Sequence, residues 1–163
     1  VNLFAIIGRY FWLLCLAIVS FNYIVGQRKV AARDSADPRL SSEVISYRRL
    51  FAVASAVPWV VMGVGILLGG VPNIWYYFRP QDHDPFVLAW FGSLFIISIS
   101  FAFWVFFLGG AEKVVAFRLI EVNGLRGPIS LTVGRVKLLA LLGSLWIALW
   151  VCYAASMNVP VPK

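Results

Sequence analysis

Three consecutive residues, Asp82-His83-Asp84, set the chain's only histidine between two carboxylates. Side chains of these types bind zinc and exchange protons near neutral pH. Their spacing argues against both roles. Adjacent residues rarely converge on one ion, no second His or Cys lies nearby to complete a tetrahedral set, and Pro80 and Pro85 bound the segment as a loop. The expectation is a solvated loop in which Asp82, His83 and Asp84 are weak metal candidates and no catalytic residue is assigned. This histidine also falls outside every hydrophobic stretch, which argues against histidine-ligated haem or chlorophyll.

The remaining reactive groups are few. Cys15 and Cys152 form no Cys-x-x-Cys motif and read as small apolar residues rather than a redox pair. Proton pumps and ion-coupled carriers need ionisable groups at mid-membrane, and the apolar stretches offer only Ser20, Asn22, Ser55, Ser93, Ser98, Ser100 and Ser144, with Pro58 freeing a backbone carbonyl. Such hydroxyls most simply bond within a helical bundle, although in an oligomer they can line a passive pore.

The elements that carry these residues follow from composition. Of 163 residues 61% are hydrophobic and 13% charged, and the mean hydropathy is +0.87. That balance excludes a water-soluble enzyme and a disordered chain, and two cysteines exclude a disulfide scaffold. Charge-free runs cover 10–27, 50–78, 85–111 and 138–162, each near or above the roughly 20 residues that cross about 30 Å of hydrocarbon. Without strand-like alternation these are helices, not barrel strands. The expected fold is an all-α integral membrane protein. It forms one domain over 1–163, a bundle of four transmembrane helices at 4–26, 50–71, 86–109 and 138–157, with cytoplasmic loops 27–49 and 110–137 and an outer loop 72–85.

Orientation follows from the basic residues. Arg28, Lys29, Arg33, Arg39, Arg48 and Arg49 share one side with Lys113, Arg118, Arg126, Arg135 and Lys137, which is eleven of fourteen, and cationic flanks stay cytoplasmic. Both termini are expected outside, in the cell membrane. The net charge of +7 is then a juxtamembrane attraction for anionic lipid head groups and no sign of nucleic-acid binding. The first segment lacks a basic start and a small-x-small cleavage site, so it is expected to be retained. Arg9 snorkels to the outer interface beside Tyr10, Phe11 and Trp12.

In the first cytoplasmic loop Asp37-Pro38 separates two helical arms, and Ser41-Ser42-Glu43 marks a helix start ahead of the bilayer. In the second, Asn123-Gly124 and Gly127-Pro128 signal a sharp reversal, and polar residues interrupt apolar ones over 111–122 in the manner of an interfacial helix. Outside, Trp75, Tyr76, Tyr77 and Phe78 are expected to lie at head-group depth as anchors, together with Arg9 and Trp12. No internal repeat is evident.

Small residues mark helix packing. Ala52, Ala56, Gly63 and Gly70 share one face of the second helix, Ala54, Gly65 and Gly69 lie nearly opposite, and the fourth helix carries Ala140, Ser144 and Ala148 at four-residue spacing. The third helix has nine aromatics in 24 residues, more than bundle packing requires, so some face lipid, partner helices or a hydrophobic molecule such as a quinone or carotenoid. No cofactor is assigned, and bound lipid is expected. The function read from these features is that of a structural or accessory subunit packing against other membrane-protein subunits, itself or lipid. A homo-oligomeric channel or passive transporter is the alternative, and a membrane enzyme or lipid-handling protein the third reading.

Overall fold

A segment that is apolar on every face takes a bilayer as its solvent, and its backbone must then bond to itself. In the computed structural model, which describes residues 3–33, 38–120, 122–124, 127–129 and 131–156, the chain does so through α1 (Leu3–Arg33), α2 (Pro38–Leu67), α3 (Pro85–Phe107), the short α4 (Gly110–Ala116) and α5 (Val133–Ser156). Within the four long helices, Ile6–Arg28, Ser42–Leu67, Pro85–Phe107 and Val133–Ser156 are long and apolar enough to cross a membrane. The fold is a helical bundle of the multi-pass membrane type.

The ends of the helices differ from the expected bounds for local reasons. Continuing α1 to Arg33 rather than 26 adds Lys, Arg and Ala, all good helix formers. Beginning α2 at Pro38, ahead of the expected start at Ser41-Ser42-Glu43, uses the first helical position, where proline's missing N–H would be unsatisfied anyway. Ser42 is therefore inside the helix, and its carbonyl accepts from the Ser46 hydroxyl at 3.0 Å. Asp37 lies outside the described residues. Helix α2 stops at Leu67 rather than 71, and Gly70 then takes φ +74, a left-handed conformation that returns the Val71 N–H to the Gly65 carbonyl at 3.0 Å. Helix α5 starts at Val133 rather than 138, where the Thr132 carbonyl receives the Val136 N–H.

The long helices pack in file: α2 lies against α1 and α3, and α3 against α5. At one end, here the aromatic end, 3-10 turns Ile74–Phe78 and Pro80–Asp82 join α2 to α3. Met62, Ile66, Val71, Tyr77, Val87, Trp90, Phe91 and Ala154 form a core there. At the basic end α3 reverses through Gly109 (φ +69), and α4 folds back on α3 and α5, closing a second core of Val105, Ala111, Val114, Val136 and Ala140. A hairpin follows, β1 (Val122–Gly124) pairing antiparallel with β2 (Gly127–Ile129), Val122 opposite Ile129 and Gly124 opposite Gly127. The Asn123-Gly124 and Gly127-Pro128 signals thus fall within the two paired strands.

Candidate functional site

Asp82, His83 and Asp84 do not converge. Asp84 is the N-cap of α3, accepting from the N–H groups of Phe86 (2.8 Å) and Val87 (3.2 Å), which satisfies two orphan helix donors. Asp82 pairs with Arg79 at 3.0 Å. His83 is exposed in a left-handed conformation, φ 54. A cavity of 400 Å³ beside the loop is lined by Tyr76, Arg79, Asp82, Asp84 and Val87 among others, but not by His83. Among the described residues no three His, Cys, Asp or Glu side chains form a group that could hold a metal ion.

The aromatic residues of this end are structural to different degrees. Tyr77, expected at the interface, is wholly buried. Its hydroxyl donates to the Met62 carbonyl at 3.0 Å and its ring meets Trp90 edge-on at 5.6 Å. Burial, and secondarily the charge of Asp84, pushes its pKa up to about 12. This burial has a physical cause: the 3-10 turn inserts the ring between α2 and α3, where Gly65 leaves room. Trp75 and Tyr76 are half-buried, Trp12 is half-buried within the bundle, and Arg9 is exposed.

The small residues of α2 face different neighbours. A Cβ at Gly63 would stand 2.7 Å from the Trp12 ring of α1, whereas at Gly65 it would meet the Tyr77 hydroxyl at 2.1 Å and at Gly69 the Phe86 ring of α3 at 2.3 Å. Gly70 has open space, so its requirement is conformational rather than one of packing. Ala52 lines a cavity described below, and Ala56 is half-buried. On α5, Ala140 is buried, Ser144 accepts from the Ser98 hydroxyl of α3 at 3.2 Å and Ala148 is half-buried, while Leu145, Trp146 and Leu149 are exposed on the remaining surface.

Two further cavities lie toward the basic end. The larger, 460 Å³, lies where α2 and α5 each pack on α3 rather than on one another. Its walls include Phe51, Ala54, Ile97, Phe101, Trp104 and Ser144, and its volume is in the usual range of about 300–1,000 Å³ for small-molecule sites. Tyr47 stands at its basic-end lip. The Lys113 ammonium donates to the Tyr47 hydroxyl, lies 4.9 Å from that ring's centroid and 3.7 Å from Glu43. The Tyr47 hydrogen bond above all holds the Lys113 pKa above its ordinary value, against a smaller opposing effect of desolvation.

The second cavity, 200 Å³, lies between α1 and α2 and is lined by Val19, Asn22, Tyr23, Arg48, Phe51, Ala52, Ser55 and Leu119. Phe51 and Ser55 line both spaces, so the two adjoin on one quarter of α2. From the sequence, Arg48 and Lys113 count only as topology charges. The signal that could have singled out Arg48 is depth: it lies six residues inside Ser42–Leu67, about 9 Å along the helix. Comparison with known protein families, curated proteins and solved structures yields no match for this chain.

Proposed function

We propose that this protein is a structural or accessory subunit of a larger membrane assembly, packing its lateral apolar faces against partner membrane proteins and lipid. One observation carries the reading: the helices stand in file, and α1, with 6% of its apolar window buried against 28% for α2, leaves Ile6, Leu13, Leu14, Ile18, Phe21 and Ile24 uncovered. Lipid accepts such a flank, and so does a partner helix. The basic asymmetry supports an orientation with both termini outside in the cell membrane and the α4 end cytoplasmic, against anionic head groups. Thiol labelling of cysteines placed at Ser35 and Gln81 tests this, and modification of both from one side refutes it. For the function, a photo-crosslinker at Leu14 followed by mild-detergent purification and mass spectrometry is expected to capture a heterologous membrane protein in fixed stoichiometry. A pure homo-oligomer would replace the reading with a channel or passive transporter.

A second reading, lipid handling, is favoured by the 460 Å³ apolar cavity between α2, α3 and α5. Its test is co-purification of one lipid species, lost when Gly143→Leu fills the cavity.

A further inference from the structure

Arg48 is held in an arrangement that its role as a topology charge does not require. Its guanidinium lies over α1 where Gly26 lacks a side chain: a Cβ there would stand 2.4 Å from Nη1. Nη2 donates to the Arg118 carbonyl at 3.2 Å. Arg118 follows α4 in a left-handed conformation, φ 48, which is uncommon for a residue with a side chain. It presents its carbonyl to Arg48 and is followed by Leu119, which lines the same cavity. The third face of the fork is unused, since Nε is buried without a partner. Gln27, next to Gly26, has a second buried and unpartnered donor, Nε2.

The charge of this group has no counterpart among the described residues. The ion pairs of this end join Lys113 to Glu43 and Lys137 to Glu112, and neither includes Arg48. Arg48 is half-buried with its Nε fully so, and because arginine stays charged in proteins, this partly desolvated cation is one that an anion would stabilise. The cavity beside it supplies space and polar groups: Asn22, Tyr23 and Ser55 line it with Arg48, while Val19, Phe51 and Leu119 make up the apolar part. Arg48 and Asn22 lie at matching depth, each six residues from the end of its span, which is near the boundary between head groups and hydrocarbon.

We infer that the α1–α2 cavity is a binding site for a phosphate-type anion, whose oxygens the Arg48 fork grips beside Asn22 and Tyr23. A planar fork suits such oxygens. The anion is supplied either by a phospholipid head group or by a soluble phosphate. This site is independent of the accessory-subunit reading, because its lining residues are not those of the uncovered α1 flank.

Detergent-solubilised full-length protein is titrated with short-chain phosphatidic acid, short-chain phosphatidylcholine or inorganic phosphate. Binding is read by native mass spectrometry and by thermal shift. Wild type and Arg49→Gln, which removes an exposed neighbouring charge, are expected to bind alike. Arg48→Gln and Arg48→Lys are expected to lose about tenfold or more in affinity. Ala52→Leu keeps every charge, fills the cavity and is expected to lose binding also, which covers the case in which Arg48→Gln fails to fold. Binding of phosphatidic acid alone identifies a head-group site, and equal binding of inorganic phosphate a soluble anion. Equal losses in Arg49→Gln and Arg48→Gln, unchanged affinity in Ala52→Leu, or no binding of any probe to wild type overturns the inference.

Discussion

Replacing Gly65 by alanine should disrupt the aromatic end through one identified atom pair. The added methyl would stand 2.1 Å from the Tyr77 hydroxyl oxygen and 2.9 Å from the Phe86 Cβ. The hydroxyl must move, and its 3.0 Å bond to the Met62 carbonyl goes with it. Overpacking of this kind costs about 1–3 kcal/mol, the lost hydrogen bond about 1 kcal/mol, and the better helix propensity of alanine returns about 1 kcal/mol. A net destabilisation of about 1–3 kcal/mol follows. Tyr77→Phe alone should lose about 1 kcal/mol. Because the phenylalanine lacks the clashing oxygen, Gly65→Ala with Tyr77→Phe should be less damaging than the sum of the single effects, by about 1–2 kcal/mol. Equilibrium denaturation in mild detergent, followed by tryptophan fluorescence, reads all four proteins of the cycle; Trp90, 5.6 Å from the Tyr77 ring, is the local reporter. Additivity to within about 0.5 kcal/mol would refute the Gly65–Tyr77 contact as the determinant of this packing.

Three further outcomes test separate parts of the fold. Gly63→Leu should drive a side chain into the Trp12 ring and lower the melting temperature, with partial recovery when Trp12→Ala is added; an unchanged melting temperature would mean that α1 does not seat on this face of α2. Tyr77 is held neutral to about pH 12, against 10.0 for the free side chain. Stability should therefore be independent of this group below pH 10 and fall by about 2–3 kcal/mol between pH 10 and 12, where only the unfolded chain has lost the proton, with Tyr77→Phe abolishing that slope. Asp84→Ala should destabilise by about 0.5–2 kcal/mol through loss of the α3 cap while Asp84→Asn is nearly neutral, as measured by thermal unfolding; equal losses in both would point to a role for the charge itself.

The four apolar helices are legible in the sequence because their signal is long-range and cumulative: charge-free runs near or above about twenty residues leave one physical solution. Their ends are less legible. Pro38 reads as a break between arms because proline ends helices, yet it also starts them, and local sequence does not choose between the two. Tyr77 shows a different limit. An aromatic run beside a membrane helix has the composition of an interfacial girdle, and only the 3-10 geometry and the gap at Gly65 convert one of its members into core. Arg48 shows a third. Its depth is visible from numbering, but the glycine beneath it and the carbonyl that holds it come from α1 and from the turn after α4, far apart in sequence and brought together by the fold.

The two ends of the bundle divide their tasks. At the aromatic end, rings from α3, α5 and the first 3-10 turn meet edge-on around Trp90 and Trp150 at 5.6–5.7 Å, Phe91 lies tilted on Trp150 at 5.3 Å, and glycines admit Tyr77 and Phe86 directly against α2. Such packing fixes depth and angle around these rings, while the 400 Å³ cavity of this end lies beside the Asp82–Asp84 loop. Toward the basic end the same helices diverge around 460 Å³ and 200 Å³ of open space, the first lined in part by Tyr47, to which Lys113 donates, and the second by Arg48. Stability and binding should therefore respond to different substitutions. Gly65→Ala should lower the melting temperature in mild detergent while leaving phosphatidic-acid affinity within about twofold of wild type, and Arg48→Gln should lose the affinity while unfolding near the wild-type temperature in the absence of added anion. Residues 65 and 48 lie on one helix, about 25 Å apart along its axis at 1.5 Å per residue, so a rigid α2 would couple them only through tilt. If Gly65→Ala weakens anion binding as strongly as Arg48→Gln does, α2 transmits strain along its length, and Pro58, which removes one backbone hydrogen bond midway between them, does not isolate the two ends.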